Sequence, residues 1–199
     1  MTVLSKLKRA NKKAYRNNRR KRREEKKKEP KGDKLVLLIR LSQFGSLTKY
    51  NITQLYEQEG DSLLLELIEE GYVKKGEKDV RVNKEKVSHF RLTTKGQKLV
   101  KEKGYKLYYS NSPRHDIIHA TNVIEQFKDY LDHYKHEKEL PDAKARDCSK
   151  VDGAIFLDDS IIYLETITRN YKKDKINAKR RYADLYSNKA KYSYIEFNE

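Results

Sequence analysis

The sequence predicts an α+β fold behind a strongly basic N-terminal segment. Three observations indicate this: apolar residues recur at helical spacing in two regions, short alternating runs follow each region, and positive charge is concentrated near the N-terminus. The 199 residues include 46 Lys and Arg against 30 Asp and Glu, a net charge of +16. No apolar run approaches the roughly 18 residues of a membrane span, and no apolar secretory signal begins the chain. We therefore expect a cytoplasmic protein without membrane contact.

Residues 1–33 are predicted to be a disordered basic arm. Residues 1–34 contain 16 Lys and Arg and four acidic residues, a net charge of +12, and residues 5–33 lack an apolar stripe that could form a core. Counterion release gives such a segment affinity for any polyanion, so its charge does not separate DNA from RNA. The alternative is a solubilising tail. The part of the arm with the densest positive charge supplies the first predicted nucleic-acid contacts: Arg16, Arg19, Arg20, Lys21, Arg22 and Arg23.

Residues 34–108 are predicted to form a domain that begins with three helices. The apolar residues of 35–44 indicate a buried first helix. Thr48 can cap a short second helix. A third helix is expected to follow Asp61 or Ser62 as its N-cap and to end at Gly71.

Two short alternating runs and a closing helix complete this domain. The first run, at 80–82, has two Val on one face, and the second, at 90–92, has Phe and Leu on one face. Residues 83–86 lie between them as a turn, which predicts a hairpin. A last helix is expected from Thr93 or Thr94. This order resembles a winged helix-turn-helix, and the family usually reads the major groove with its third helix.

The predicted third helix is unusually acidic for that use. Residues 50–73 contain six acidic residues and no Lys or Arg, so phosphates would be repelled within the Debye length of about 8 Å. Direct groove reading and packing against protein are the two alternatives, and the acidic segment 50–73 is a candidate surface for a protein partner. The hairpin is better placed for phosphates. Its predicted contacts are Arg81, Lys84, Lys86 and Arg91.

Residues 109–199 are predicted to form a small nuclease-like α/β domain. Ser112 as N-cap and Pro113 at the first helical position begin a long helix that is expected to reach about His136. His115 and His119 are spaced as in the zinc motif of metalloproteases, and a cap or surface role is the alternative. Further elements are expected in chain order: strands at 151–157 and 161–168, a basic helix at 172–186 and a strand at 190–197.

Asp152 and Glu165 are the candidate catalytic residues and the candidate Mg²⁺ ligands. They lie on neighbouring strands joined by a tight turn, the way nucleases of the restriction-endonuclease-like fold present carboxylates to Mg²⁺. The lysine usually found two residues after the Glu is missing, because Ile167 holds its place. We expect a degenerate site that serves as scaffold, with no enzymatic activity and no required cofactor. If the site is active, four basic residues could replace the lysine: Arg169, Lys172, Lys173 and Lys175.

The last predicted helix is a second basic surface. Residues 169–191 hold nine basic and two acidic residues. Apolar residues such as Ile176 and Ala183 give it a core face, which leaves much of its charge for solvent or phosphates. The predicted nucleic-acid contacts are Lys172, Lys173, Lys179, Arg180 and Arg181.

The C-terminal motifs resemble the replication-relaxation proteins of plasmids and mobile elements. The matching residues are His115, Asp152-Gly153-Ala154, Glu165-Thr166-Ile167-Thr168 and Arg181-Tyr182, and the likeness covers roughly residues 35–186. The resemblance implies an accessory or regulatory DNA-binding protein in plasmid or phage DNA replication, transfer or maintenance. It favours DNA over RNA as the partner and leaves homodimerisation open.

Two other functions remain as alternatives. One is a Mg²⁺-dependent nuclease that uses Asp152 and Glu165. The other is a transcriptional or RNA-binding regulator that acts through the basic arm.

Overall fold

The structure is a computed structural model, and it describes residues 29–108, 112–168, 171–187 and 190–198. The chain divides into two compact units, Met1–Leu35 and Val36–Glu199. The arm residues from Arg16 to Arg23 that we expect to contact nucleic acid lie outside the described residues, as does Arg169. No described helix is long and apolar enough to cross a membrane.

The α+β class expected from the sequence is confirmed. The elements up to residue 102 include four helices and five short strands in the described part. In chain order they are α1 (Asp33–Phe44), β1 (Leu47–Thr48), α2 (Lys49–Tyr56), α3 (Glu59–Glu69), β2 (Val73–Lys75), β3 (Val80–Val82), β4 (Glu85–Val87), β5 (His89–Leu92) and α4 (Thr94–Glu102).

Up to residue 102, two of the predicted helix starts are capped as expected, and one is wrong. Thr48 caps α2: its side chain accepts from the Asn51 N–H, while the Asn51 side chain accepts from the Thr48 N–H. Thr93 caps α4 through the Gly96 N–H. Helix α3 starts at Glu59, before the expected Asp61 or Ser62, and its N-cap makes no side-chain hydrogen bond. The early start places acidic residues in the first turn, where the helix dipole favours them.

The predicted hairpin has a different register. Strand β3 pairs with β4, whereas β5 pairs with β1 and β2 in a three-stranded antiparallel sheet of order β1-β5-β2. The physical reason is the turn: Asn83 and Lys84 both have positive φ, 48° and 70°, so two residues suffice to reverse the chain. The run at 90–92 is therefore free to pair elsewhere.

The C-terminal part contains two helices and a four-stranded sheet. These elements are α5 (Pro113–Phe127), β6 (Tyr134–His136), β7 (Gly153–Phe156), β8 (Ser160–Ile167), α6 (Lys173–Tyr186) and β9 (Lys191–Asn198). The sheet order is β6-β7-β8-β9, antiparallel except for the β8–β9 pair.

Helix α5 is shorter than the sequence pattern indicates. It begins as expected, with the Ser112 side chain accepting from the His115 N–H, but it ends at Phe127 instead of near His136. A 3₁₀ segment, Lys128–His133, follows it. Residues 134–136 are taken by the sheet, because they pair with 153–155 of β7. Tertiary pairing thus overrides the helical spacing.

The hydrophobic core is continuous across residue 108, where the sequence predicts a domain boundary. One cluster of buried residues includes Leu38 and Phe44 from α1 together with Val123 from α5, Tyr134 from β6 and Leu164 from β8. A second cluster lies under α6. Both predicted domains therefore belong to the same compact unit, Val36–Glu199.

Candidate functional site

Asp152 and Glu165 come together at the point where β7 begins. Asp152 directly precedes β7, and Glu165 lies on the neighbouring strand β8. Each carboxylate accepts a main-chain N–H from the other strand: Asp152 N donates to Glu165 Oε2 at 3.0 Å, and Thr166 N donates to Asp152 Oδ2 at 2.9 Å. Both side chains are buried, with Asp152 6% and Glu165 0% exposed. The two strands therefore fix the carboxylates side by side.

Lys179 of α6 supplies a positive group to this pair. Its Nζ lies 2.7 Å from Glu165 Oε1, 2.8 Å from Glu165 Oε2 and 3.3 Å from Asp152 Oδ1. The residue is only 5% exposed, so its expected role as a surface contact for phosphates is wrong. Of the four replacements suggested by the sequence, Lys172, Lys173 and Lys175 do not take this place, and Arg169 lies outside the described residues. We call Asp152, Glu165 and Lys179 the charged cluster.

The helical spacing contained a signal for Lys179. It lies four residues before Ala183 and three before Tyr182, both fully buried under the sheet. Positions i+3 and i+4 share a face of a helix, so Lys179 belongs to the buried face rather than to the solvent face. A lysine on such a face needs a buried partner of opposite charge.

His115 and Tyr171 border the charged cluster. His115 Nε2 lies 3.1 Å from Asp152 Oδ2, and the Tyr171 hydroxyl donates to Glu165 Oε1 at 2.8 Å. The Tyr171 ring in turn lies 4.1 Å below the Lys175 ammonium. With Lys179 and the two main-chain donors, all four carboxylate oxygens have hydrogen-bond partners.

Both ring nitrogens of His119 form hydrogen bonds in a separate buried network. Its Nδ1 lies 2.9 Å from Thr166 Oγ1 and its Nε2 lies 3.0 Å from the Tyr134 hydroxyl. Burial lowers the pKa of His119 to about 4, so the ring is neutral at pH 7. The His115–His119 pair thus does not chelate: one imidazole faces Asp152 while the other faces two hydroxyls.

The charges in the cluster shift each other's protonation. Burial and the Asp152 carboxylate raise the pKa of Glu165 to about 7 despite the nearby ammonium. Burial alone would raise the pKa of Asp152, but His115 and Lys179 hold it well below its usual range. Burial lowers the pKa of Lys179, and the two carboxylates more than offset this. The pKa values of the two carboxyls therefore differ strongly, as they do at many functional sites.

The cluster as arranged does not fit a bound Mg²⁺. Two carboxylates can hold Mg²⁺ when substrate phosphates and water complete its six ligands. Here the carboxylate oxygens already accept hydrogen bonds, and the Lys179 ammonium contacts three of the four. Within residues 29–108, 112–168, 171–187 and 190–198, no three His, Cys, Asp or Glu side chains are grouped to hold a metal ion.

The remaining predicted nucleic-acid contacts lie in two places. Arg81, Lys84 and Lys86 are exposed on the hairpin β3–β4, and Arg91 is half-buried on β5. On α6 and just before it, Lys172 and Lys173 are exposed. Two others on α6 bind acidic neighbours: Arg180 contacts Glu196 at 2.7 Å, and Arg181 contacts Asp147.

Comparisons with known proteins identify no relative of this chain. No family model matches it, and neither the curated proteins nor the solved structures contain a significant match.

Proposed function

We propose that this chain is a DNA-binding accessory or regulatory protein that acts in plasmid or phage DNA replication, transfer or maintenance. The N-terminal arrangement supports the comparison with a winged helix-turn-helix: three helices, the sheet β1-β5-β2, the hairpin β3–β4 as the wing, and the closing helix α4. The sheet and α6 support the comparison with a nuclease-like domain, and the resemblance to replication-relaxation proteins favours DNA.

The observation that carries nucleic-acid binding is the charge pattern of the wing and of the β2–β5 ladder that adjoins it in the chain. Arg81 stands directly opposite Lys86 in the β3–β4 ladder, and Lys74 stands directly opposite Arg91 in the β2–β5 ladder. Like charges in directly opposed positions destabilise a sheet. A polyanion placed along these ladders offsets that repulsion, because each phosphate lies between two cations.

Helix α3 carries charge of the opposite sign to the wing. Four acidic residues are exposed on it: Glu59, Asp61, Glu66 and Glu69. Leu65 stands among them with 58% of its surface exposed. Lys49 offsets one of these charges, since its Nζ lies 3.1 Å from Asp61 Oδ2. The net negative charge of the face still repels phosphates, so we assign α3 to a protein partner or to solvent and the wing to DNA.

A wing variant in which two cationic side chains are replaced by neutral ones tests the proposal. Arg81→Gln with Lys86→Gln should lower the affinity for duplex DNA about tenfold at 0.1 M salt and reduce the slope of log affinity against log salt by about two. Its fold should be kept, since the change removes repulsion. The matched control, Lys101→Gln with Lys128→Gln, removes the same charge from exposed positions outside the wing. Equal losses in both variants would reject a localised DNA contact.

A second candidate is a Mg²⁺-dependent nuclease, and one observation favours it. Lys179 supplies the positive group that the sequence lacks two residues after Glu165, within 3.3 Å of both carboxylates. Burial of the cluster and its saturated oxygens oppose this function. Incubation with duplex, branched and single-stranded DNA in Mg²⁺ should therefore release no products. Cleavage that disappears in both Asp152→Asn and Glu165→Gln would establish the nuclease instead.

A further inference from the structure

In the charged cluster, the Lys179 ammonium occupies the place that a bound cation would take between two buried carboxylates. When both are ionised, the two carboxylates carry a formal charge of −2, and burying them with almost no exposure and without a counter-ion would cost several kcal/mol per ion. Lys179 is the one cationic group in the described structure that contacts both of them. His115 contacts Asp152 alone, from the more accessible side.

Every N–H donor of the Lys179 ammonium has a carboxylate oxygen within reach. An ammonium has three N–H donors, and Lys179 Nζ has three carboxylate oxygens within 2.7–3.3 Å. These are oxygens that a hard divalent cation would use, at a position fixed by two strands and their reciprocal main-chain hydrogen bonds. An ion that entered would have to displace the ammonium into surroundings that offer it no comparable partner, because its side chain is 6% exposed.

We propose that Lys179 is the resident counter-ion of Asp152 and Glu165 and excludes divalent cations from them, so that a neutral side chain at position 179 turns this pair into a divalent-cation site. This inference goes beyond DNA binding and does not depend on it, since the wing variants and the cluster variants are separate.

The test compares metal-dependent stability of the full chain. Thermal unfolding and calorimetric titration with MgCl₂ and with MnCl₂ are measured for the wild type and Lys179→Met. The wild type should bind neither ion. Lys179→Met should gain roughly 5 °C in Tm when the ion is present at 100 times its Kd. Lys179→Arg keeps the positive charge and should stay insensitive to both ions.

A double variant locates the ion. Lys179→Met with Asp152→Asn should lose the metal-dependent shift, because the pair then has a single carboxylate. Three results would overturn the proposal: wild-type binding as strong as that of Lys179→Met, no gain in Lys179→Met with either ion, or a gain that persists in the double variant. If Lys179→Met is unfolded without metal, refolding in Mn²⁺ supports the proposal and failure to refold counts against it.

Discussion

Each residue of the charged cluster is held by contacts that depend on the protonation of its neighbours. Asp152 meets Lys179 and His115, and Glu165 meets Lys179 and Tyr171. Removing one partner of a buried ion pair costs about 3–5 kcal/mol, because the other charge stays behind without compensation. The cluster is thus a place where single substitutions and pH act on the stability of the fold.

His115 should stabilise the fold in its protonated form. Burial lowers its pKa, but the hydrogen bond and charge of Asp152 outweigh this and leave the pKa raised. A raised folded-state pKa means that the stabilisation is complete below the unfolded value of about 6.5 and is lost as the pH rises through the folded value. The free energy of unfolding of wild type minus that of His115→Gln should therefore be larger at pH 5.5 than at pH 8.5.

The partner of His115 provides the control for this pH dependence. In an Asp152→Asn background the same His115→Gln change should lose most of its pH dependence, because the charge that raises the pKa is gone. Chemical denaturation at the two pH values measures all four proteins. A difference that grows towards pH 8.5 would contradict the assigned ion pair.

At the scale of elements, local signals predicted the capped helix starts but not the uncapped start of α3, and non-local pairing decided the strand register and the end of α5. Thr48 and Ser112 cap helices because their hydroxyls accept from main-chain N–H groups three residues further on. Such a cap depends only on nearby residues, so the sequence is enough to predict it. The register of β3 with β4 depends on left-handed backbone at Asn83 and Lys84, which neither residue type requires. The end of α5 depends on β7, a strand that begins 26 residues after Phe127.

For the candidate site, the sequence predicted the two carboxylates but not the lysine that joins them. Asp152 and Glu165 could be paired from two strands and a tight turn, because that turn makes the strands neighbours. Lys179 lies three residues after Ile176 and four before Ala183, so it falls on the core face predicted for its helix. Its strong local charge favoured a solvent role, and only burial beside Tyr182 and Ala183 overrides that.

The wing turn predicts a trade-off between stability and binding. Lys84 has φ of 70°, a conformation that costs a residue with a Cβ about 1 kcal/mol and costs glycine little. Lys84→Gly should therefore raise the free energy of unfolding by up to about 1 kcal/mol, yet weaken DNA binding and lower the salt slope by about one. Asn83→Gly relieves backbone at the adjacent residue and keeps the charge, so it should not weaken binding. Weaker binding in both variants would assign the effect to the backbone instead.

At the scale of the whole molecule, polar and aromatic contacts join the two parts of the unit Val36–Glu199. Phe44 of α1 stacks on Tyr134 of β6 with ring centroids 5.0 Å apart. Buried Arg40 donates to the Leu131 carbonyl at 2.7 Å, and Asn51 donates to Thr121 at 2.8 Å. Because a hydrogen-bonded and close-packed boundary transmits the loss of one side to the other, the parts should not unfold independently.

Unfolding of the full chain should consequently be a single transition for residues 36–199. The calorimetric and van't Hoff enthalpies should agree, and tyrosine fluorescence should change together with circular dichroism. Phe44→Ala should lower the free energy of unfolding of the whole unit by about 3–5 kcal/mol, although it lies far along the chain from the four-stranded sheet. Leu65→Ala, at a side chain that is largely exposed on α3, is the control and should change it by less than about 0.5 kcal/mol. Two separate transitions, with Phe44→Ala moving only one of them, would mean that the parts fold independently despite their shared core.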